Sequence, residues 1–161
     1  MRTRIAAAVG AAILTVLASA AAPEAQTVDS KGDYAAFERI LKQQNDAWFE
    51  EDGAKFAATF TKDADLVTFN GDHLTTREGI ATGMQYYFDR YIDHTRLKAL
   101  EQHIRFAGPN MAVIVRTSCQ LVPPSTECRT DSLSRNTNVL VKRNGKWLQE
   151  SFQNTRVVAI P

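Results

Sequence analysis

The sequence predicts an α+β fold, with about three N-terminal helices packed on one side of a curved, mostly antiparallel sheet. Three observations carry that reading. Apolar residues recur at three- and four-residue steps through the first half of the chain. After Asp93, strand-like runs follow one another, separated by Gly, Pro and Asn. Neither a repeat nor a linker divides the two halves, and helices followed by a meander is the order of an α+β domain.

Arg2 and Arg4, the uncharged apolar run from Ile5 to Ala18 and the small residues Ala18-Ser19-Ala20 read as a secretory signal peptide over residues 1–20, with Ala21 an alternative cleavage point. The run is about 14 residues, short of the ~20 that span a bilayer. The expectation is therefore an exported protein, periplasmic or secreted, with no membrane attachment after cleavage. Residues 21–32 read as a flexible polar lead-in, and 33–161 as a single domain.

From Asp33, the residues Phe37, Ile40, Leu41, Gln44, Ala47 and Trp48 fall on one helical face. Asp52-Gly53 breaks this helix, and Asp52 can cap a shorter second one carrying Phe56 and Phe60. Residues 65–69 form a strand ended by Asn70-Gly71-Asp72. Thr75 and Glu78 then have capping-box spacing before a third helix with Ile80, Met84, Tyr87, Phe88 and Tyr91 on one stripe. Strands follow at about 97–106, 111–121, 132–142 and 147–158. Gly108-Pro109-Asn110 and Asn144-Gly145 supply turns between them.

Composition narrows the class. With 44% hydrophobic and 23% charged residues the chain can bury a core, which excludes bulk disorder. The formal charge is +1, and loss of Arg2 and Arg4 leaves 17 basic against 18 acidic residues. Nothing in that balance favours nucleic acid or an acidic lipid surface. Cys119 and Cys128 are an even pair flanking a turn-like segment. In an oxidising compartment this favours a disulfide over a reactive thiol or a metal pair.

Several spaced positions resemble the nuclear transport factor 2-like superfamily, and within it the SnoaL-like and SgcJ/EcaC-type small proteins. They are Ala47-Trp48 with Asp52, then Phe56, Asp63-Ala64-Asp65, Gly71, and Arg77 with Ile80. Asn144-Gly145-Lys146-Trp147 and Gln153-Asn154-Thr155 complete the set, which spans about residues 33–158. The resemblance implies a cone: the sheet curls around a cavity, the helices close it, and the cavity is the usual site. It also implies that a homodimer can form through the sheet. Members include isomerases, cyclases, dehydratases and plain interaction domains, so fold alone does not choose a reaction.

The residues can be tested against ketosteroid isomerisation, in which a strand carboxylate moves a proton and a helix tyrosine donates to the oxyanion. Those positions fall on Thr68 and Gln44. A threonine hydroxyl does not shuttle protons near neutral pH, so chemistry of that type is not expected. His73, His94 and His103 lack partners at metal-ligand spacing, and no metal is expected. Asp63 and Asp65 read first as a solvated strand entrance, and as an acid–base pair second. Neither a phosphate-cradling glycine loop after a strand nor a G-x-S-x-G elbow occurs, and no cofactor is expected.

The expected cavity lining is Gln44, Trp48, Phe56, Thr68, Met84, Tyr87 and Gln153. Gln153 belongs to it only if the Gln149, Ser151 and Gln153 face of the last strand turns inward. Two functions stand at this point. One is an exported pocket protein binding a small, mostly apolar molecule, with cofactor-free proton-transfer or hydration chemistry if it turns over. The other is a non-catalytic dimerisation or interaction domain whose pocket is filled by its own side chains.

Overall fold

The computed structural model describes residues 30–159. The expected signal peptide, and most of the expected lead-in, lie outside that range. Helix α1 (Ser30–Phe49) starts three residues before the expected point, and α2 (Gly53–Ala57) follows after a tight turn. Strands β1 (Phe60–Val67) and β2 (His73–Thr75) precede helix α3 (Thr76–Phe88). The long strands β3 (Arg96–Gly108), β4 (Met111–Leu121), β5 (Ser134–Arg143) and β6 (Lys146–Arg156) complete the chain.

The sheet runs β2-β1-β6-β5-β4-β3 and is curved and unclosed. β3 to β6 form the expected antiparallel meander, while β1 joins β6 in parallel, so the sheet is mixed. Asn144 and Gly145 both have positive φ, 52° and 74°, as a two-residue hairpin between β5 and β6 requires.

Two apolar clusters fix the helices to the inner face. Phe37 of α1 packs on Ala112, Ile114, Leu140 and Trp147. Phe56, Phe60, Leu66, Ile80, Met84 and Phe88 join α2, α3 and β1, with Trp48 and Phe152 against them. Phe60, Leu66, Ile80, Ile114 and Leu140 are fully buried, and each such side chain contributes roughly 1.5–3 kcal/mol. Gly53 lets α2 lie directly on α3: a Cβ there would come within 2.4 Å of the Ala81 carbonyl oxygen.

Local chemistry decides the boundaries. Asp52 caps α2 as expected, its carboxylate accepting from the Lys55 amide at 2.8 Å. Phe60 does not extend that helix but opens β1, because α2 lasts only five residues. Thr75 sits at the N-cap of α3 but makes no capping hydrogen bond, since it is the last residue of β2 and pairs with Asp65. Thr76 accepts from the Gly79 amide instead, at 3.2 Å. Arg77 then ties α3 to β1, donating from Nε to the Phe60 carbonyl at 2.8 Å.

Asp33 fastens the start of α1 to the β5–β6 hairpin. Its Oδ1 accepts from Trp147 Nε1 at 2.6 Å and from Lys142 Nζ at 2.8 Å, and the residue is 2% exposed. Burial pushes the carboxyl up, but the hydrogen bonds and the Lys142 charge outweigh it and hold the pKa below its ordinary value. A depressed folded-state pKa adds stability above the unfolded value of about 3.9, and that stability is lost as pH falls through the folded value. Asp33→Asn should therefore lower stability by about 1–3 kcal/mol at neutral pH and weaken the acid dependence of unfolding. Denaturant melts of the two proteins at neutral and acid pH check this, and equal midpoints at neutral pH would refute the clasp.

Candidate functional site: a two-sided cavity under the helices

A cavity of about 160 Å³ lies between the helices and the sheet. It is close to the roughly 150 Å³ of an engineered apolar cavity that takes benzene. Its apolar side is built by Leu41 and Trp48 of α1, Phe56 of α2, Leu66 of β1, Met84 and Tyr87 of α3, and Phe152 of β6. The Trp48 ring is held in place by its Nε1, which donates to Thr95 Oγ1 at 2.8 Å, and by an edge contact with Phe88.

The polar side is a row across the sheet. Gln102, Arg116, Asn136 and Asn154 are successive register partners on β3, β4, β5 and β6. Ser118, Ser134 and Arg156 form the next row, and all but Gln102 of these two rows line the cavity. Asn136 donates to Ser118 Oγ at 3.1 Å and accepts from Asn138 at 2.8 Å. Gln44 Nε2, Arg116 Nε, Gln120 Oε1 and Asn154 Oδ1 are buried without a hydrogen-bond partner among the described residues. Such atoms are costly unless a guest or water satisfies them.

Six of the seven expected lining residues meet here: Gln44, Trp48, Phe56, Thr68, Met84 and Tyr87. Gln153 does not; it is exposed, while Phe152 and Asn154 face the cavity. The reason is a β-bulge. Val139 pairs with Ser151 and Leu140 with Gln149, which leaves Glu150 without a register partner on β5. The inward face therefore passes from Trp147 and Gln149 to Phe152, Asn154 and Arg156. Gln149 is buried and donates to Thr59 Oγ1 at 2.9 Å, away from the lining.

Thr68 and Tyr87 share a network with the 70–72 turn. Thr68 Oγ1 donates to Asn70 Oδ1 at 2.5 Å and accepts from the Asp72 amide at 3.0 Å. The Tyr87 hydroxyl donates to the Asp72 carboxylate and lies 3.0 Å from Asn70 Oδ1. Burial first, and then the Asp72 carboxylate, push the Tyr87 pKa above that of an ordinary phenol, so it remains protonated.

The remaining candidates lie outside the cavity. His73 Nε2 is 2.8 Å from Asp65 Oδ1 with both side chains more than half exposed, and Asp63 is exposed as well. His103 lies exposed on β3, and His94 bonds Glu51 at the helix end. Glu51, Asp93 and His94 bring one ligand atom each within 4.8 Å of one another there, on the surface. Sequence reasoning misses Arg116 and Asn136. In 111–121, Ala112, Ile114 and Arg116 are two residues apart, and a charge in phase with core positions is the signal that could have found the arginine.

The fold and this hollow define a member of the nuclear transport factor 2-like superfamily. The chain belongs to the SnoaL-like domain family, whose pattern matches residues 33–152. A domain of unknown function with a cystatin-like fold from Nostoc punctiforme is 31% identical, covering 81% of each chain with a TM-score of 0.73. Aln2 from a Streptomyces species is 19% identical, over 81% of this chain and 94% of that one, with a TM-score of 0.69. A nuclear transport factor 2-like protein with a cystatin-like fold from Novosphingobium aromaticivorans is 12% identical, over 81% and 85%, with a TM-score of 0.68. No curated protein matches the chain.

One wall depends on the disulfide. Cys119 and Cys128 are bonded, and beside them the Arg129 amide donates to the Gln120 carbonyl at 2.7 Å. Ser132 Oγ donates to the Arg129 carbonyl at 2.6 Å and accepts from the Gln120 amide at 3.1 Å. Cys119, Gln120, Arg129 and Ser132 all line the cavity. Replacing both cysteines by serine should lower stability by roughly 2–3 kcal/mol from loop closure alone. Calorimetry checks this, with an unchanged melting temperature as the contrary result.

Proposed function

We propose that this protein binds a small, mostly apolar molecule in the cavity between helices and sheet. The single observation that carries the reading is a hollow with one apolar wall and one wall of polar atoms the protein leaves unpartnered, the pattern of a ligand site rather than of a filled core. The aromatic side supplies contact area, and Gln44 and Asn154 supply orientation. Among the described residues, no carboxylate, imidazole or free thiol lines the cavity. The chemistry within reach is cofactor-free proton transfer or hydration through Tyr87, backed by Asp72.

Trp48 is a built-in reporter. Single-ring carbonyl or aromatic compounds should change its emission saturably, and Ser118→Phe, which fills the floor, should abolish that change while leaving the melting temperature within a few degrees. An unaltered response in the variant would remove the cavity assignment.

A second reading rests on the outer face of the sheet. Val113 and Val139 are register partners there, as are Val141 and Leu148, on the side away from the helices. We propose this face as the surface through which two copies would pair. Sedimentation decides between the readings: a micromolar dimer with no Trp48 response would favour assembly.

We also propose export, on the strength of the basic start, the apolar run and the small residues at 18–20. Intact mass of the protein from a periplasmic fraction should correspond to a chain beginning at Ala21 or Ala22. A chain retaining residues 1–20 would overturn this.

A further inference from the structure

We propose that the guest is an organic acid, and that Arg116 is the anchor for its carboxylate. This rests on the reading of the cavity as a small-molecule site, and it goes further by assigning the guest a charge and a place for that charge.

Among the described residues the lining contains three arginines, Arg116, Arg129 and Arg156, and no acidic residue and no lysine. The chain as a whole is close to neutral, so this concentration of positive charge is local. A concave, partly apolar site lined by one sign of charge focuses the field on its interior. Arg129 and Arg156 are exposed, and the Arg156 guanidinium lies over the Phe69 ring at 4.4 Å, which places both near solvent.

Arg116 differs from them. It is 7% exposed, and its Nε has no hydrogen-bond partner. Its side-chain hydrogen bond runs from Nη2 to Gln102 Oε1 at 3.4 Å, at the long end of the useful range. None of the ion pairs among the described residues includes it. Its register neighbours, Gln102 and Asn136, are neutral amides, so the sheet supplies no anion. Glu38 of α1 contributes some opposing charge from a distance, and accepts a hydrogen bond from Gln102 at 3.1 Å rather than from the guanidinium. Burial draws the Arg116 pKa down, yet a guanidinium keeps its proton in proteins.

A buried cation without an ion-pair partner is among the costlier arrangements a fold can hold, and one that faces a cavity can be compensated from within it. The second unpartnered donor on that cavity, Gln44 Nε2, points to the same kind of group. Gln120 Oε1 and Asn154 Oδ1 are bare as well, but they are neutral amide oxygens, whereas the bare donors include a full positive charge, and with no acid on the lining that charge calls for an oxyanion. A planar carboxylate fits the guanidinium fork, and a cavity of about 160 Å³ leaves room for one ring or a short branched chain against Trp48, Phe56 and Met84.

The test is a matched pair, benzoate and benzamide, with inorganic phosphate as a third arm, each titrated into the purified protein and followed by calorimetry and Trp48 emission. Benzoate should bind at least about tenfold more tightly than benzamide, the value of one charge-assisted hydrogen-bonded contact. Arg116→Met should erase that preference, weakening benzoate far more than benzamide. Arg116→Lys, which keeps the charge but not the fork, should retain part of it, and serves if the methionine variant does not fold. Raising the ionic strength should slow benzoate association through Arg129 and Arg156 and leave benzamide unaffected. Benzamide bound as tightly as benzoate overturns the anchor and leaves the cavity reading standing. Phosphate bound more tightly than benzoate overturns the organic acid. No response to either ring compound overturns both the anchor and the cavity reading.

Discussion

The face that each strand turns toward the helices is the constraint on which the rest of this structure depends. In a sheet that face alternates with every residue, so a shift of one exchanges all inward and outward side chains beyond it. β4 and β5 keep strict phase, which puts Ala112, Ile114 and Arg116 beneath the helices together with Asn136, Asn138 and Leu140. β6 changes phase once, at Glu150, and this lets Trp147 serve the core under α1 while Phe152 and Asn154 serve the cavity. One unpaired residue therefore divides a single strand between packing and recognition.

Much of the fold is legible in the sequence because its signals are local. The stripe from Phe37 to Trp48, the Asp52 cap and the Asn144-Gly145 turn each rest on residues within a few positions of one another, and each is found. Features that depend on pairing are hidden. β2 is three residues long, too short for any periodicity to show, and its pairing moves the capping role from Thr75 to Thr76. Counting by twos from Gln149 places Gln153 inward, because a bulge at a glutamate leaves no mark in composition. Arg116 escapes for a different reason: Ala112 and Ile114, the inward residues before it on the strand, are apolar and claim the face for the core, although the arginine's phase is readable.

The cavity combines two conditions that seldom coexist in a packed interior. Trp48, Phe56, Met84 and Phe152 make one wall as apolar as any core, yet the facing row holds side-chain amides and a guanidinium. The protein's own atoms satisfy only part of that row: Asn136, Asn138 and Ser118 bond one another, while Arg116 and Asn154, with Gln44 of α1 across the cavity, each keep an atom in reserve. Four such atoms meet at this one cavity, against two elsewhere among the described residues, Asp33 Oδ2 and Thr61 Oγ1, and that concentration is what supports recognition over imperfect packing.

The parallel ladder between β1 and β6 has a consequence for the order of events during biosynthesis. β1 completes its pairing only with β6, so the inner wall cannot close until residues 146–156 have been made. Contacts so distant along the chain form late and slowly. A nascent molecule with this topology cannot complete its mixed sheet before β6 is available to pair.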